Sequence, residues 1–313
     1  MRAVPATLLA LLVLAVAGCG SSTATRSSGG AVALPHEPLQ AANGPVAPAL
    51  ATSPLSLQLT GRPDAVQIRF GHAPRAGLLF DLDTGQVLWR RNPTRVLPIA
   101  SVTKMMTALI VVDRLPQGAK VRITKEALAY QGSGVGVLPK GKRVGLSAML
   151  HGLLLPSGND AAIALAQRVS GTVAKFVDAM NARAASMGLT CTRYSSPSGF
   201  VDAGNHSCAA DLAVEARAVL DEPRLARIVR RRQAVLPFPI KGGKLYLYNH
   251  NPLLKTGYAG TLGIKTGFTD AAGMCLVAAV KRNGHRLGVV LLHSPNPGQQ
   301  AVKLFDRGFR ALG

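Results

Sequence analysis

Three short groups of residues could together do acyl-transfer chemistry. Ser101 and Lys104 stand three apart in "SVTKMMTALIVV", Ser157 and Asn159 flank a glycine in "PSGND", and Lys265, Thr266 and Gly267 are consecutive in "GIKTGFT". A serine hydroxyl is a weak nucleophile until a base takes its proton. On a helix, residues i and i+3 share a face, so Lys104 can reach the hydroxyl of Ser101. Lysine acts as a base only where burial or neighbouring cations lower its pKa. The run that follows Lys104 is apolar on nearly every side, which supplies that burial. Ser157 offers a second hydroxyl able to relay a proton to a leaving amine. Asn159 can donate and accept, and so can orient both a substrate amide and Lys104. Lys265 and Thr266 can grip a carboxylate. Gly267 lets a ligand lie close to a strand. The backbone N–H groups of Ser101 and Phe268 are the candidate oxyanion hole.

Each group alone is weak evidence, and their order along the chain and the elements they fall on give them weight. Lys-Thr-Gly also occurs at Lys255–Gly257, and Ser294-Pro-Asn296 repeats the spacing of the middle group. The setting "LLKTGYA" reads as a surface turn rather than a strand. Ser294 comes after the third group and precedes a proline, so neither copy is chosen.

The elements that must position these residues are legible in outline. Two apolar runs around Asp83-Thr84-Gly85 predict a hairpin. Helical periodicity follows over "SVTKMMTALIVVDRL", "SAMLHGLLL", "NDAAIALAQRVSG", "TVAKFVDAMNARAASMG" and "CAADLAVEARAVLDEP". Strand-like runs "TLGIKTGF", "GMCLVAAV" and "RLGVVLLH" come next, the last two joined at Asn283-Gly284, and "QQAVKLFDRGF" closes the chain as a helix. Strands at both ends with helices between predict an α+β fold. One antiparallel sheet is built from both chain ends, covered by helices, with an inserted helical subdomain.

The 313 residues carry 36 Lys and Arg against 15 Asp and Glu, a formal net charge of +21. Such a balance favours anionic partners. The excess is scattered apart from one dense run, "RIVRRRQ" at 227–233, which reads as a solvated face. No zinc-finger spacing or aromatic RNA-binding signature accompanies it, so no nucleic-acid partner is expected. The seven histidines are dispersed without metal-ligand spacing, so neither metal nor cofactor is expected.

Residues 1–19 read as a signal peptide: Arg2, an apolar run from Leu8 to Ala17, then small residues before Cys19. That run is too short to span a bilayer. "VAGC" resembles the bacterial lipobox, which implies acylation of Cys19 and a membrane anchor through an N-terminal lipid. Residues 20–72, rich in Ser, Ala, Pro, Gly and Thr, read as a flexible tether, and 73–313 as the catalytic domain. An exported chain permits a disulfide between Cys191 and Cys208, and their spacing leaves the pairing open. Cys275 reads as a buried thiol in a strand.

The three groups in this order resemble those of penicillin-binding proteins and class A β-lactamases. The wording is closer to the low-molecular-mass D-alanyl-D-alanine carboxypeptidases, peptidase family S11. "PIASVTKMMTALIVVD", "LLLPSGNDAAIALAQRVSGTVAKFVDAMNARAASMGL" and "GIKTGFTDAAGMCLVAAVKRNG" carry that resemblance. It implies a β-lactamase/penicillin-binding-protein-like fold. It also implies Ser101 as the acylated nucleophile, Lys104 as base, Ser157 and Asn159 as relay and orienter, and Lys265 and Thr266 as carboxylate grip. The implied substrate is the D-Ala-D-Ala end of a peptidoglycan stem peptide, with β-lactams as covalent inhibitors and an exported, envelope location.

"SSPSGFVDAGNHSCAADLA" matches the family only loosely, which bears on substrate selection. A DD-endopeptidase would use the same chemistry on cross-links. A class A β-lactamase needs a glutamate to activate the deacylating water, and none lies between Asn159 and Glu215. A silent wall-binding lipoprotein would not need the three intact groups.

Overall fold

The computed structural model describes residues 57–60, 63–200 and 203–313. The signal peptide, Cys19 and most of the tether lie outside the described residues. Among those described, no helix is long and apolar enough to cross a membrane.

Strands β1 (Ala76–Asp81) and β2 (Val87–Arg91) form the expected hairpin. Asp81 closes its turn by accepting from the N–H groups of Asp83 and Thr84 at 2.9 and 2.7 Å. Strand β3 (Leu97–Pro98) leads through a 3₁₀ turn, Ala100–Thr103, into helix α1 (Lys104–Arg114). Then come β4 (Lys120–Arg122), α2 (Lys125–Leu128) and β5 (Arg143–Gly145). Three helices follow: α3 (Leu146–Leu154), α4 (Asn159–Ser170) and α5 (Val173–Ser186). Next are β6 (His206–Ser207), α6 (Ala209–Asp221) and α7 (Pro223–Val229). The hairpin β7 (Gln233–Pro237) and β8 (Lys244–Tyr248) precedes α8 (Pro252–Lys255). The chain closes with β9 (Thr261–Thr269), β10 (Gly273–Arg282), β11 (His285–Leu292) and α9 (Pro297–Leu312).

The main sheet runs β2-β1-β11-β10-β9, antiparallel throughout. Ala76 pairs with Leu292, so the two ends of the folded chain share the sheet's centre. Helices cover both faces. Leu78 and Phe80 join the larger core, with α1, α4 and α6, while Leu79 between them joins a second core with Leu304 and Phe305 of α9. Burial on both faces explains why β10 and β11 read as unbroken apolar runs rather than alternating ones. Every residue of α1 from Lys104 to Val112 is buried, which matches its all-round apolar sequence.

The folded part begins before the boundary that composition sets at residue 73. Val66 is buried in the second core, and its N–H donates to Leu88 O at 2.9 Å. Asp64 pairs with Arg90 at 2.6 Å, and Phe70 meets Trp89 edge-on at 6.0 Å. The tether reading of 20–72 is therefore corrected over 63–72. A few apolar anchors dock an otherwise polar stretch along β2, and composition averages them away.

Cys191 and Cys208 are joined by a disulfide. It closes the segment that carries Ser198 onto the start of α6. Below it, Tyr194 donates its hydroxyl to the carboxyl of Glu215, with both side chains buried. Burial pushes Glu215 up to about 8 from an ordinary 4.5, with Tyr194 opposing and Asp211 adding to the rise. The folded protein thus holds a proton that the unfolded chain releases. Glu215 contributes stability below about pH 4.5 that is lost as pH rises through about 8. In thermal melts across that range, Glu215→Gln should lose less Tm with rising pH than the wild type. Groups common to both proteins cancel in the comparison, so parallel Tm profiles would refute the raised pKa.

Candidate active site

The turn that carries Ser101 is held in an uncommon conformation. Ala100, immediately before it, has φ 48°, a left-handed value that non-glycine residues seldom adopt. Gly199 lies so close beneath that a Cβ there would sit 2.0 Å from Ala100 O. On the other side a Cβ at Gly267 would fall 3.0 Å from Ser101 N and 2.9 Å from Ile99 O. The glycine of the third group therefore lets β9 press against the Ser101 turn, beyond the ligand clearance its sequence implies.

Lys104 opens α1 with no surface exposure. Its Nζ lies 2.8 Å from Ser101 Oγ, 2.7 Å from Asn159 Oδ1 and 2.7 Å from Ser198 O. No carboxylate is among these partners. Burial holds the amine well below its usual pKa; the Lys265 charge adds to this, and Asp160 opposes it. The partners suit a neutral amine. Asn159 Oδ1 and the Ser198 carbonyl can only accept, so they take its two N–H bonds. In that neutral form the remaining lone pair would face the Ser101 hydroxyl, 2.8 Å away. Asn159 is itself fixed, since its Nδ2 donates to Gln131 O at 2.6 Å.

Ser157 and Asn159 sit at the break between α3 and α4. Ser157 has φ 67°. Its buried hydroxyl has no hydrogen-bond partner among the described residues, which leaves it able to bond a ligand. The adjoining loop is laced to the start of α4. Asn159 N donates to Ser133 O at 2.8 Å, and the Asp160 carboxylate accepts from the N–H groups of Val135 and Gly136. Lys265, on β9, is 1% exposed, and burial lowers its pKa to about 7. Its Nζ donates to Thr266 O at 2.8 Å. A cleft of about 400 Å³ is lined by Ser101, Ser133, Ser157, His250, Thr266 and Gly267, with the exposed Phe268 at its rim. Members of all three groups thus line one cleft, and Lys104 ties the first group to the second through Ser101 and Asn159.

The look-alikes lie elsewhere in character. Lys255, Thr256 and Gly257 are exposed at the end of the short helix α8, where Gly257 takes φ 69°. Ser294 donates to Gln300 Oε1 at 2.7 Å, and Asn296, although it lines the cleft, is committed to capping α9, where its side chain accepts from Gln299 N. Glu215 is committed to Tyr194 and does not line the cleft. Cys275, outside the disulfide, is buried in β10, and its thiol donates to Ala272 O at 3.7 Å. Cys191, Cys208 and Asp211 cluster within 4.8 Å, but disulfide sulfurs are not thiolate ligands.

The site also uses groups that residue type and spacing did not show. The Ser198 carbonyl is a backbone acceptor, which has no side-chain signature. Ser133 and His250 enter through loops, and only the Gly-rich and Asn-rich stretches around them hint at irregular backbone.

Residues 64–296 match the family model described as D-alanyl-D-alanine carboxypeptidase, peptidase S11. The D-alanyl-D-alanine carboxypeptidase DacB2 of Mycobacterium tuberculosis is 38% identical over 243 residues, which cover 74% of this chain and 81% of that protein. DacF of Bacillus subtilis, a D-alanyl-D-alanine carboxypeptidase, is 33% identical over 246 residues, covering 76% of this chain. The match spans 62% of the length of DacF. The structure of the Streptomyces K15 DD-transpeptidase superposes with a TM-score of 0.73 at 30% identity, covering 78% of this chain and all of that one. The match over most of the folded chain and the convergence of the three groups lead to the same conclusion: the chain belongs to peptidase family S11, the D-alanyl-D-alanine carboxypeptidases.

Proposed function

We propose that this protein is a serine D-Ala-D-Ala carboxypeptidase that trims the terminal D-alanine from peptidoglycan stem peptides. The observation that carries the reading is the buried Lys104 amine, which has two acceptors for its N–H groups and the Ser101 hydroxyl at its third position. In this scheme Lys104 takes the Ser101 proton as Oγ attacks the carbonyl carbon of the penultimate D-alanine. The N–H groups of Ser101 and Phe268 receive the developing oxyanion. Ser157 gives its proton to the departing amine of the last D-alanine, whose carboxylate is gripped by Lys265 and Thr266. It takes back the proton that Lys104 carries, which returns both groups to their starting state. Water then cleaves the acyl-enzyme. β-Lactams would acylate the same hydroxyl and stay. The lipobox-like "VAGC" supports acylation of Cys19, which would hold the enzyme at the outer face of the membrane.

Incubation with defined muropeptides tests this. A monomeric pentapeptide should lose one D-alanine, while a cross-linked dimer persists. Cleavage of the dimer with the monomer left intact would replace the reading with an endopeptidase. In the same assay Lys265→Ala should lower D-alanine release by roughly 10- to 100-fold, the scale of a lost charge-assisted hydrogen bond. Lys255→Ala should leave release unchanged, and equal losses from the two would undo the choice between the copies.

A further inference from the structure

A second cleft, of about 220 Å³, lies between α3 and α7 and is lined by Ser147, His151, Arg224, Arg227, Ile228 and Arg231. None of its lining residues belongs to the catalytic cleft. No carboxylate side chain lines it. Arg224 and Arg227, three residues apart, share a face of α7, and Arg231 lines the same cleft from just beyond the helix end. Ile228, between them, is buried.

The arginines differ in how they are held. Arg224 is anchored: its guanidinium donates to the carbonyls of Leu115 and Val112 and to Glu222. Arg227 and Arg231 are exposed, and neither guanidinium has a hydrogen bond or ion pair among the described residues. His151 forms part of the same wall and is 6% exposed. Its Nδ1 lies 2.7 Å from Ser147 O, while its Nε2 is buried without a partner. Arg224 has Glu222 as its counter-charge, whereas Arg227 and Arg231 line the same cleft with none among the described residues, and their mutual repulsion costs stability. Planar, multiply donating guanidinium groups match the oxygens of a phosphate. The dense basic run at 227–233 is therefore only partly a solvated face, since two of its arginines wall a pocket.

We propose that the α3–α7 cleft is an anion site that takes a phosphate group, with Arg227 and Arg231 as its grips and Arg224 as its fixed wall. A phosphate at a cell envelope comes from two sources, a lipid headgroup or a soluble phosphodiester polymer. The site would hold the enzyme near either, independently of substrate in the catalytic cleft.

Two probes distinguish the sources: glycerol 3-phosphate in solution, and vesicles of phosphatidylglycerol in phosphatidylcholine. Binding of each to the full chain is measured for the wild type, for Arg227→Gln/Arg231→Gln, and for a charge-matched control, Arg122→Gln/Arg143→Gln on the exposed β4–β5 ribbon. The wild type should bind saturably, and the cleft variant should bind roughly 10- to 100-fold more weakly. The control should match the wild type. Arginine-dependent binding of glycerol 3-phosphate assigns a soluble phosphate, and such binding to vesicles alone assigns a headgroup. Equal weakening in the control would show diffuse surface charge, and no saturable binding to either probe would remove the site. Penicillin labelling of the cleft variant should be unchanged, which keeps this test separate from that of the catalytic reading.

Discussion

Ser101→Ala should abolish both the covalent penicillin adduct and D-alanine release, lowering the rate by at least about 10⁴-fold. The fold should survive. The change removes one oxygen from a half-buried side chain, and Lys104 keeps its bonds to Asn159 and Ser198. Ser157 is no substitute nucleophile, because among the described residues its buried hydroxyl has no hydrogen-bond partner and so no base to take its proton. Intact-mass measurement after incubation with penicillin, followed by peptide mapping, reads the result directly. The wild type should gain one adduct on the peptide containing Ser101, and the variant none. A retained adduct, or one mapped to Ser157, would overturn the assignment. The wild-type adduct should also persist, so that nitrocefin is consumed in stoichiometric amount rather than turned over. A β-lactamase would need a carboxylate over the acyl-enzyme, and Glu215 is bound to Tyr194 instead.

How much of this site the sequence discloses depends on the reach of each interaction. Ser101 and Lys104 are one turn apart, so helical spacing alone predicts their contact, and the structure places them at 2.8 Å. The sheet's outer connections were equally legible, because Asn283-Gly284 and Asp83-Thr84-Gly85 are local turn signals. The third partner of Lys104 was not. Ser198 contributes through its carbonyl, 94 residues away in sequence, and any residue type offers a carbonyl. The role of Gly267 was legible only in part. Its sequence implies close approach of something to the strand, while the structure shows that the Ser101 turn itself takes that space. The docking of Val66 and Phe70 escaped for the opposite reason: a few buried anchors are diluted by polar neighbours. The β7–β8 hairpin went unread, although "KLYLY" alternates and Gly242-Gly243 turns the chain, with φ 85° and 67°.

The role of Lys104 is decided by two substitutions that separate charge from basicity. Arginine cannot be deprotonated in a protein, so Lys104→Arg keeps a cation and offers no lone pair. Lys104→Met keeps an unbranched side chain and offers neither. If Lys104 takes the Ser101 proton, both variants should acylate with penicillin about 10²- to 10⁴-fold more slowly, the usual worth of a positioned general base. If it served only as a positive charge near the developing oxyanion, the arginine variant should retain most of the rate. Pre-steady-state acylation followed across pH adds a second reading. The wild-type rate should rise with pH as the amine loses its proton, at a pH well below that of an ordinary lysine, because burial and the neighbouring Lys265 favour the neutral form. That limb should vanish in both variants. Stability supplies the control. Lys104→Met leaves Asn159 Oδ1 and the Ser198 carbonyl short of a donor, at about 1–3 kcal/mol each, but it also removes an amine that is costly to bury. A folded Met variant that acylates slowly at every pH would tie the loss to the missing base, and a folded arginine variant with near-normal acylation would remove Lys104 from that role.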